Sequence, residues 1–548
     1  MVRLRGRGFF VVAAAMWATV VIVLPSAQPA GPSSVAASSS SARPAGVDGA
    51  GGASSPDAAS VSAGLAPAGI GATARPGTAV AAAQRSRTGV LCVPGALQIP
   101  DSGWSPPCVP RFTGNNGGAT ANGVTATTIR VANRYFGPSV VSPTGSAPSA
   151  DELAVFDTFL KYLNDTVELY GRQVVVDQYQ SPHGDGLAEA TGQGRDAACE
   201  DAIALSQEHH DFSVVYSASP VFEDCAAQHG LVVADAEGRQ MESFLQAHDP
   251  YLWTFEQECD RIAYGMVEYA GKRLLNRPAR WAGEADFRTR ARKFGVLIPD
   301  SPYAQPCLAL FKREMARQYS ALDVVEYDYQ PDPSSLSDQM ARAAIKFKAA
   351  GVTTIVMACD PTSFQFLTQS AHNQNYFPEW INIGIAGDDT DDSGQLYDQA
   401  EVDGHMFGRS EYLADAAYSG QDGEAAVLYR KLTGKPFPQG IFDGDLGILL
   451  NLFRLLTMAG PNLSANSIAA GVRRTPTLRD PQGVLSYLFN PDGSPGFSHA
   501  SMLDANEIWW DAGIVGGNGK KGGFHVNPQR YLPGQWPTTE PDVYPGQA

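Results

Sequence analysis

Seven cysteines, nine histidines and one dense acidic run are the residues with chemistry to offer, and their spacing decides what that chemistry is. Metal centres use pairs such as Cys-x-x-Cys or His-x-x-x-His, which bring ligand atoms within reach of one ion. Neither pattern occurs, so no metal is expected. The run Asp388-Asp389-Thr390-Asp391-Asp392-Ser393-Gly394 follows a calcium loop for six positions. It then fails: the twelfth position from Asp389 is Ala400, and Glu401 falls one residue late, which removes the bidentate carboxylate. A solvated acidic loop is the reading that remains. His209 and His210 close a predicted helix, where positive charge meets the last carbonyls. There is no Gly-x-Ser-x-Gly elbow, phosphate-cradling loop or zinc helix, so neither an enzyme nor a cofactor is expected.

The cysteines point instead to disulfides in an exported chain. Connectivity does not follow from sequence, but some pairs cost less to close than others. Cys92 and Cys108 bracket a Pro- and Gly-rich loop, and Cys199 and Cys225 bracket one helix-strand step. Cys307 begins a predicted helix and Cys359 ends the next strand of the same sheet, which leaves Cys259 as the free thiol. Export itself is signalled by Arg3, Arg5 and Arg7 ahead of an uncharged apolar run of 16 residues, 9–24. That run falls short of the roughly 20 residues needed to span a bilayer, so cleavage is expected over a retained anchor. From 26 to 88 roughly three quarters of the residues are Ala, Ser, Gly or Pro, a composition that forms a disordered spacer. A short lead-in segment, 89–124, carries the first cysteine pair.

The formal charge is −17, and the first 90 residues hold seven arginines against two acids, so the remainder is more acidic still. Nucleic acid and anionic lipid are therefore excluded as main partners, and membrane contact is expected only through the N-terminal segment.

Beyond residue 124 short β-branched runs alternate with helical periods, the pattern of parallel sheets covered by helices. Strands are predicted at 128–135, 173–180, 212–216, 231–234, 294–298, 324–329 and 353–357, with helices at 151–170, 197–209, 304–318, 335–350 and 363–373. A break at 275–293, where Pro, Gly and basic residues interrupt the alternation, separates two α/β sheets. Helices return at 424–432, 443–458 and 467–472, followed by an antiparallel pair near 484–489 and 507–510. The Gly- and Pro-rich tail after 513 is expected to pack little.

Four patches in this order carry a family resemblance: 123–131 (GVTATTIRV), 212–219 between Cys199 and Cys225, 293–303 (KFGVLIPDSPY), and 488–493 followed by 507–510. Together they resemble the type 1 periplasmic binding proteins, specifically the branched-chain amino-acid receptors of ABC transporters. The resemblance covers about residues 125–535. It implies an α/β fold of two lobes, each a mostly parallel sheet flanked by helices, joined by a three-crossover hinge. The lobes would be lobe 1 at 125–290, lobe 2 at 291–410, returning helices of lobe 1 at 411–480 and a closing hairpin at 481–513, before a tail at 514–548.

The same resemblance implies a ligand cleft at the carboxyl ends of the strands, where helix N-termini converge. Ser217, Ala218 and Ser219 would offer hydroxyl and N–H donors, although Ser219 before Pro220 also reads as a helix cap. Asp235 is acidic where relatives place small or hydroxyl residues, which argues against a simple carboxylate ligand and for a cationic, amide or polyol one. Tyr303 would stack on the ligand, Asp360 and Asp388 would meet its ammonium, and Tyr135 would form a wall. The implied function is extracellular capture of a small polar molecule, amino-acid or amide-like, for delivery to an ABC transporter permease. A ligand-sensing ectodomain for envelope signalling is the alternative.

Overall fold

The computed structural model describes residues 84–546 except 103, 138–146, 191, 237–239, 321, 412–422, 439–440, 442–443, 476–477, 480–485 and 488–498. The export segment, nearly all of the spacer and the patch at 488–493 lie outside the described residues. Among the described residues no helix is long and apolar enough to cross a membrane.

The first sheet is built from β1 (Thr128–Phe136), β2 (Gln173–Ser181), β3 (Ser213–Val214) and β4 (Val232–Val233), all parallel in the order β2-β1-β3-β4. Two parallel bridges extend it, Leu252 beside Val233 and Ala500 beside Thr254. Successive side chains of a strand point to opposite faces, which gives each face its own core. Ile129 and Val131 pack with Phe156, Phe159 and Leu163 of helix Ala150–Thr166 and with the leucines of helix Asp445–Ala459. Ala132 meets Ala198, Phe222 and Leu245 on the other side. Helix Ala150–Thr166 starts at Ser149, as its sequence predicts. The Ser149 Oγ accepts from the Glu152 N–H at 3.2 Å, while the Glu152 carboxylate accepts from the Ser149 N–H at 2.5 Å.

The second sheet contains β5 (Phe294–Pro299), β6 (Val325–Tyr329), β7 (Thr354–Met357), β8 (Glu379–Asn382) and β9 (Met406–Ser410) in parallel. A short antiparallel pair, β10 (Leu478–Arg479) and β11 (Ser486–Tyr487), stands apart. The sheet is completed by antiparallel β12 (Ala505–Val515) and β13 (Lys521–Tyr531), giving the order β6-β5-β7-β8-β9-β12-β13. All but the last residue of β5 is buried, the mark of a strand covered on both faces. Where β9 runs beside β8, a Cβ on Gly408 would overlap the Asn382 carbonyl. Gly408→Ala is expected to destabilise the chain by about 1–3 kcal/mol, read from the urea unfolding midpoint, because the overlap is with backbone that cannot move aside. An unchanged midpoint would show that β8 and β9 are not held this closely.

Several expectations are corrected. Helix Cys259–Tyr269, expected within lobe 1 at 125–290, buries Ile262, Met266 and Tyr269 in the core of the second sheet with Ile381 and Phe407. The partners of 507–510 are β9 and β13, while Ser486–Tyr487 pairs with β10. The C-terminal tail packs firmly: Trp536, Val543 and Tyr544 fill that same core, and the Trp536 N–H reaches Glu268 at 2.9 Å. Cys92–Cys108 and Cys199–Cys225 pair as predicted, but the third disulfide is Cys259–Cys307, not Cys307–Cys359. Helix Cys259–Tyr269 enters the second lobe against helix Gln305–Gln318, so the starts of the two helices meet, with Cα atoms 5.6 Å apart at the cysteines. Cys359 is the buried free thiol, enclosed with Met357, Phe364 and Tyr397.

Candidate functional site

The carboxyl edge of the first sheet presents the loop Ser217–Ser219, whose hydroxyls are engaged by the lobe itself. Ser219 caps helix Pro220–Gln228, its Oγ accepting from the Phe222 N–H at 3.1 Å and donating to Glu189 Oε2 at 2.6 Å. The Ser217 Oγ accepts from the Ser219 N–H at 3.1 Å, and the Ser217 N–H donates to the Asp235 carbonyl at 2.9 Å. Ala218 is exposed between them. Behind the loop lies a buried ionic knot absent from the sequence-based expectation. Arg134 donates to both Glu189 oxygens, at 2.9 and 2.7 Å, and to Asp201 at 2.8 Å, while the Tyr179 hydroxyl donates to Asp201 at 2.9 Å. Its guanidinium lies 4.6 Å from the Phe136 ring centre and 4.3 Å from that of Phe222. Burial alone would lower the guanidinium pKa, but the bonds and charges of Glu189 and Asp201 raise it.

The remaining predicted residues divide by what holds them. Asp235 is buried, and its Oδ1 accepts from the Phe255 N–H at 2.9 Å, tying the loop to the chain segment that leaves the lobe. Asp360 caps helix Pro361–Asn373 through the Ser363 N–H at 2.9 Å and accepts from the Tyr329 hydroxyl at 2.6 Å. Asp388 is fully buried and accepts from the Ile385 N–H at 2.9 Å. Tyr135 is half-buried on β1 opposite Gln180. The acidic run is a clasp for the terminal hairpin, since Asp391 accepts from the Phe524 and Gly517 N–H groups at 2.8 and 2.6 Å. Tyr303 reaches the first lobe. Its ring meets Phe244 edge-on at 6.3 Å and covers Gly192, where a Cβ would stand 3.0 Å away. Burial raises its phenol pKa, and the nearby Asp224 and Glu223 raise it further.

The chain changes lobes at 254–258, between β9 and helix Glu424–Thr433, and at 499–505, and Gln257 bonds both to Glu411, directly after β9, and to Asp504. Its N–H donates to Glu411 Oε2 at 2.9 Å, its amide nitrogen to the Asp504 carbonyl at 3.2 Å, and its amide oxygen accepts from Arg409 at 2.6 Å. Arg530 ties the last two passages, donating to the Glu411 carbonyl at 2.6 Å and to Asp504 Oδ1 at 3.0 Å. Beside this junction Ala236, Gln240, Leu245, Thr254, Gln257 and Glu258 line a gap too small to admit a water molecule. The lobes are packed against one another here.

Glu258 is the chemically distinctive wall of that gap. It is buried, and among the described residues neither carboxylate oxygen has a hydrogen-bond partner. Arg261 Nε stands 3.7 Å away. Burial pushes its pKa up to about 7, opposed by Arg261 and reinforced by Glu242 and Asp260. Cross-lobe contacts surround it: the Glu242 N–H donates to Asp260 at 2.7 Å, and the Met241 and Cys259 sulfurs lie 3.1 Å apart. Neither Gln257 nor Glu258 was among the predicted residues; the acidic stretch 256–260 ahead of a helical period was the available signal.

No protein-family model matches the chain, and no curated protein matches it. Solved structures do. A fatty acid ABC transporter substrate-binding protein from Thermomonospora curvata matches with a TM-score of 0.51 and 15% identity, covering 77% of this chain and 96% of its own. A solute-binding protein of an ABC transporter from R. palustris, in complex with 4-hydroxybenzoate, matches at 0.50 and 12%, covering 75% and 98%. The branched-chain amino acid transporter substrate-binding protein LivJ from Streptococcus pneumoniae, in complex with isoleucine, matches at 0.49 and 14%, covering 73% and 99%. The fold is the two-lobed α/β fold of the type 1 periplasmic binding proteins.

Proposed function

We propose that this chain is an exported receptor that closes its two lobes on a small polar solute and presents it to an ABC transporter permease. The observation that carries the reading is the meeting of three interlobe passages at Gln257, directly beside a gap walled by Glu258, whose oxygens accept no hydrogen bond among the described residues. A junction where the interlobe passages meet permits rigid-body opening through a few backbone torsions. Opening would admit solute to a site whose walls combine two amides, a hydroxyl, a carboxylate and the apolar faces of Ala236 and Leu245. An anionic wall favours a solute bearing an ammonium or amide group over a bare carboxylic acid such as 4-hydroxybenzoate. The fold neighbours include binders of several chemical classes, so the ligand class is argued from the wall chemistry of this chain.

A thermal-shift screen of the purified chain against amines, amides, amino acids, aromatic acids and fatty acids tests this. A ligand at 100 times its Kd adds about 2.7 kcal/mol of stability, an easily read rise. Amines, amides or amino acids are expected to raise the midpoint, and Tyr303→Ala to weaken their binding about tenfold by removing the ring that spans the lobes. Silence across the whole panel would sink the receptor reading, and a response to simple acids alone would sink the assignment of ligand class.

A further inference from the structure

We propose that Asp177, His209 and Asp211 form a binding site for a divalent transition-metal cation on the first lobe. One ligand atom from each residue lies within 4.8 Å of the others. His209 and Asp211 precede β3, whereas Ser217–Ser219 follow it, and Asp177 lies midway along β2, so the cluster is separate from the candidate solute loop. The His209 Nδ1 is already 2.6 Å from Asp177 Oδ2.

The independent sign of a ligand is Asp211. Its side chain is fully buried, yet neither oxygen has a hydrogen-bond partner among the described residues. The nearest cation, Arg130 Nε, stands 3.6 Å from Asp211 Oδ1, longer than a hydrogen bond, and is directed to the His209 carbonyl at 3.0 Å. Burying a carboxylate without a bonded partner is costly, and the neighbouring Asp177 adds repulsion. A divalent ion placed among the three side chains would neutralise both carboxylates at once.

One imidazole nitrogen with two carboxylate oxygens is a donor set for zinc or manganese, with water completing the coordination. Arg130 is the built-in competitor, since its Nη2 also lies 3.7 Å from Asp177. Its side chain is 41% exposed, so the guanidinium can turn to solvent as the ion enters. The bound ion would fasten the 209–211 turn to β2 and brace the far edge of the lobe.

The test is calorimetric titration of the untagged, chelator-treated chain with zinc chloride and, separately, manganese chloride, with thermal midpoints read in parallel. One equivalent is expected to bind with micromolar or tighter Kd and raise the midpoint. Asp211→Asn and His209→Ala should each weaken binding by about tenfold or more. Arg130→Gln should tighten it, a gain that a purely structural role for the cluster does not produce. Asp211→Asn removes a buried charge, so it is expected to fold, and its solute response should stay intact. Absence of binding up to about 1 mM cation, or binding indifferent to Asp211→Asn and His209→Ala, overturns the proposal.

Discussion

Arg134→Met lowers the unfolding free energy of this chain by about 3–5 kcal/mol in urea titration at pH 8, the range expected when one partner of a buried ion pair is removed. The substitution keeps the stem that packs against Phe136 and Phe222 but leaves Glu189 and Asp201 without their cation. Their side chains are 0% and 1% exposed, so neither can turn to water. Adding Glu189→Gln to Arg134→Met should restore part of the loss, giving a coupling that a double-mutant cycle measures. The solute response should weaken as well, because Glu189 holds the Ser219 hydroxyl at the carboxyl edge of the sheet. A deficit under about 1 kcal/mol would show that the knot does not organise this lobe.

The parts of the fold that sequence made legible are those in which one strand or helix carries its own explanation. β1, β2 and β5 are β-branched runs, and the helix after Ser149 announces itself with a capping box. β8 and β9 were not predicted because their buried positions are filled by Glu379, Asn382, Arg409 and Ser410, which read as surface. The two charged ones are held by distant partners: Arg292 grips both oxygens of Glu379 at 2.7 and 3.0 Å, and Arg409 meets Gln257. Local pattern carries no trace of a partner 87 residues away. The tail failed for the complementary reason. Its many glycines and prolines suggested no core, yet three large side chains, Trp536, Val543 and Tyr544, suffice to anchor it. At the site, Tyr303 was legible as an aromatic after a strand end. Glu258 was not, since its significance lies in the absence of a hydrogen-bond partner, a property of the folded chain alone.

Glu258→Gln should therefore separate receptor chemistry from stability more cleanly than any other change. For the ligand-free protein the sign follows from the raised pKa. The folded chain binds the Glu258 proton more tightly than the unfolded chain, whose group titrates near 4.5. The stability this confers is full below about 4.5 and is lost as the pH rises through about 7. Over that window the native carboxyl forfeits ~3 kcal/mol, at about 1.4 kcal/mol per pKa unit. The glutamine variant has no proton to lose, so it should be the more stable protein at pH 8 and nearly indistinguishable at pH 4.5. Part of the slope will persist in the variant, because burial also lifts Asp211 to about 7 and Glu401 to about 9. Solute binding should move the opposite way. An ammonium or amide donor needs the ionised carboxylate, so affinity in the native protein should climb from pH 6 to pH 8 and level off once Glu258 is charged. In the variant it should be flat and about 100-fold weaker at pH 8, a loss of ~2.7 kcal/mol. If the variant instead bound the same solute with unchanged affinity and unchanged pH dependence, the ligand would not contact Glu258, and the gap beside Gln257 would be a closed joint of the hinge and no part of the binding site.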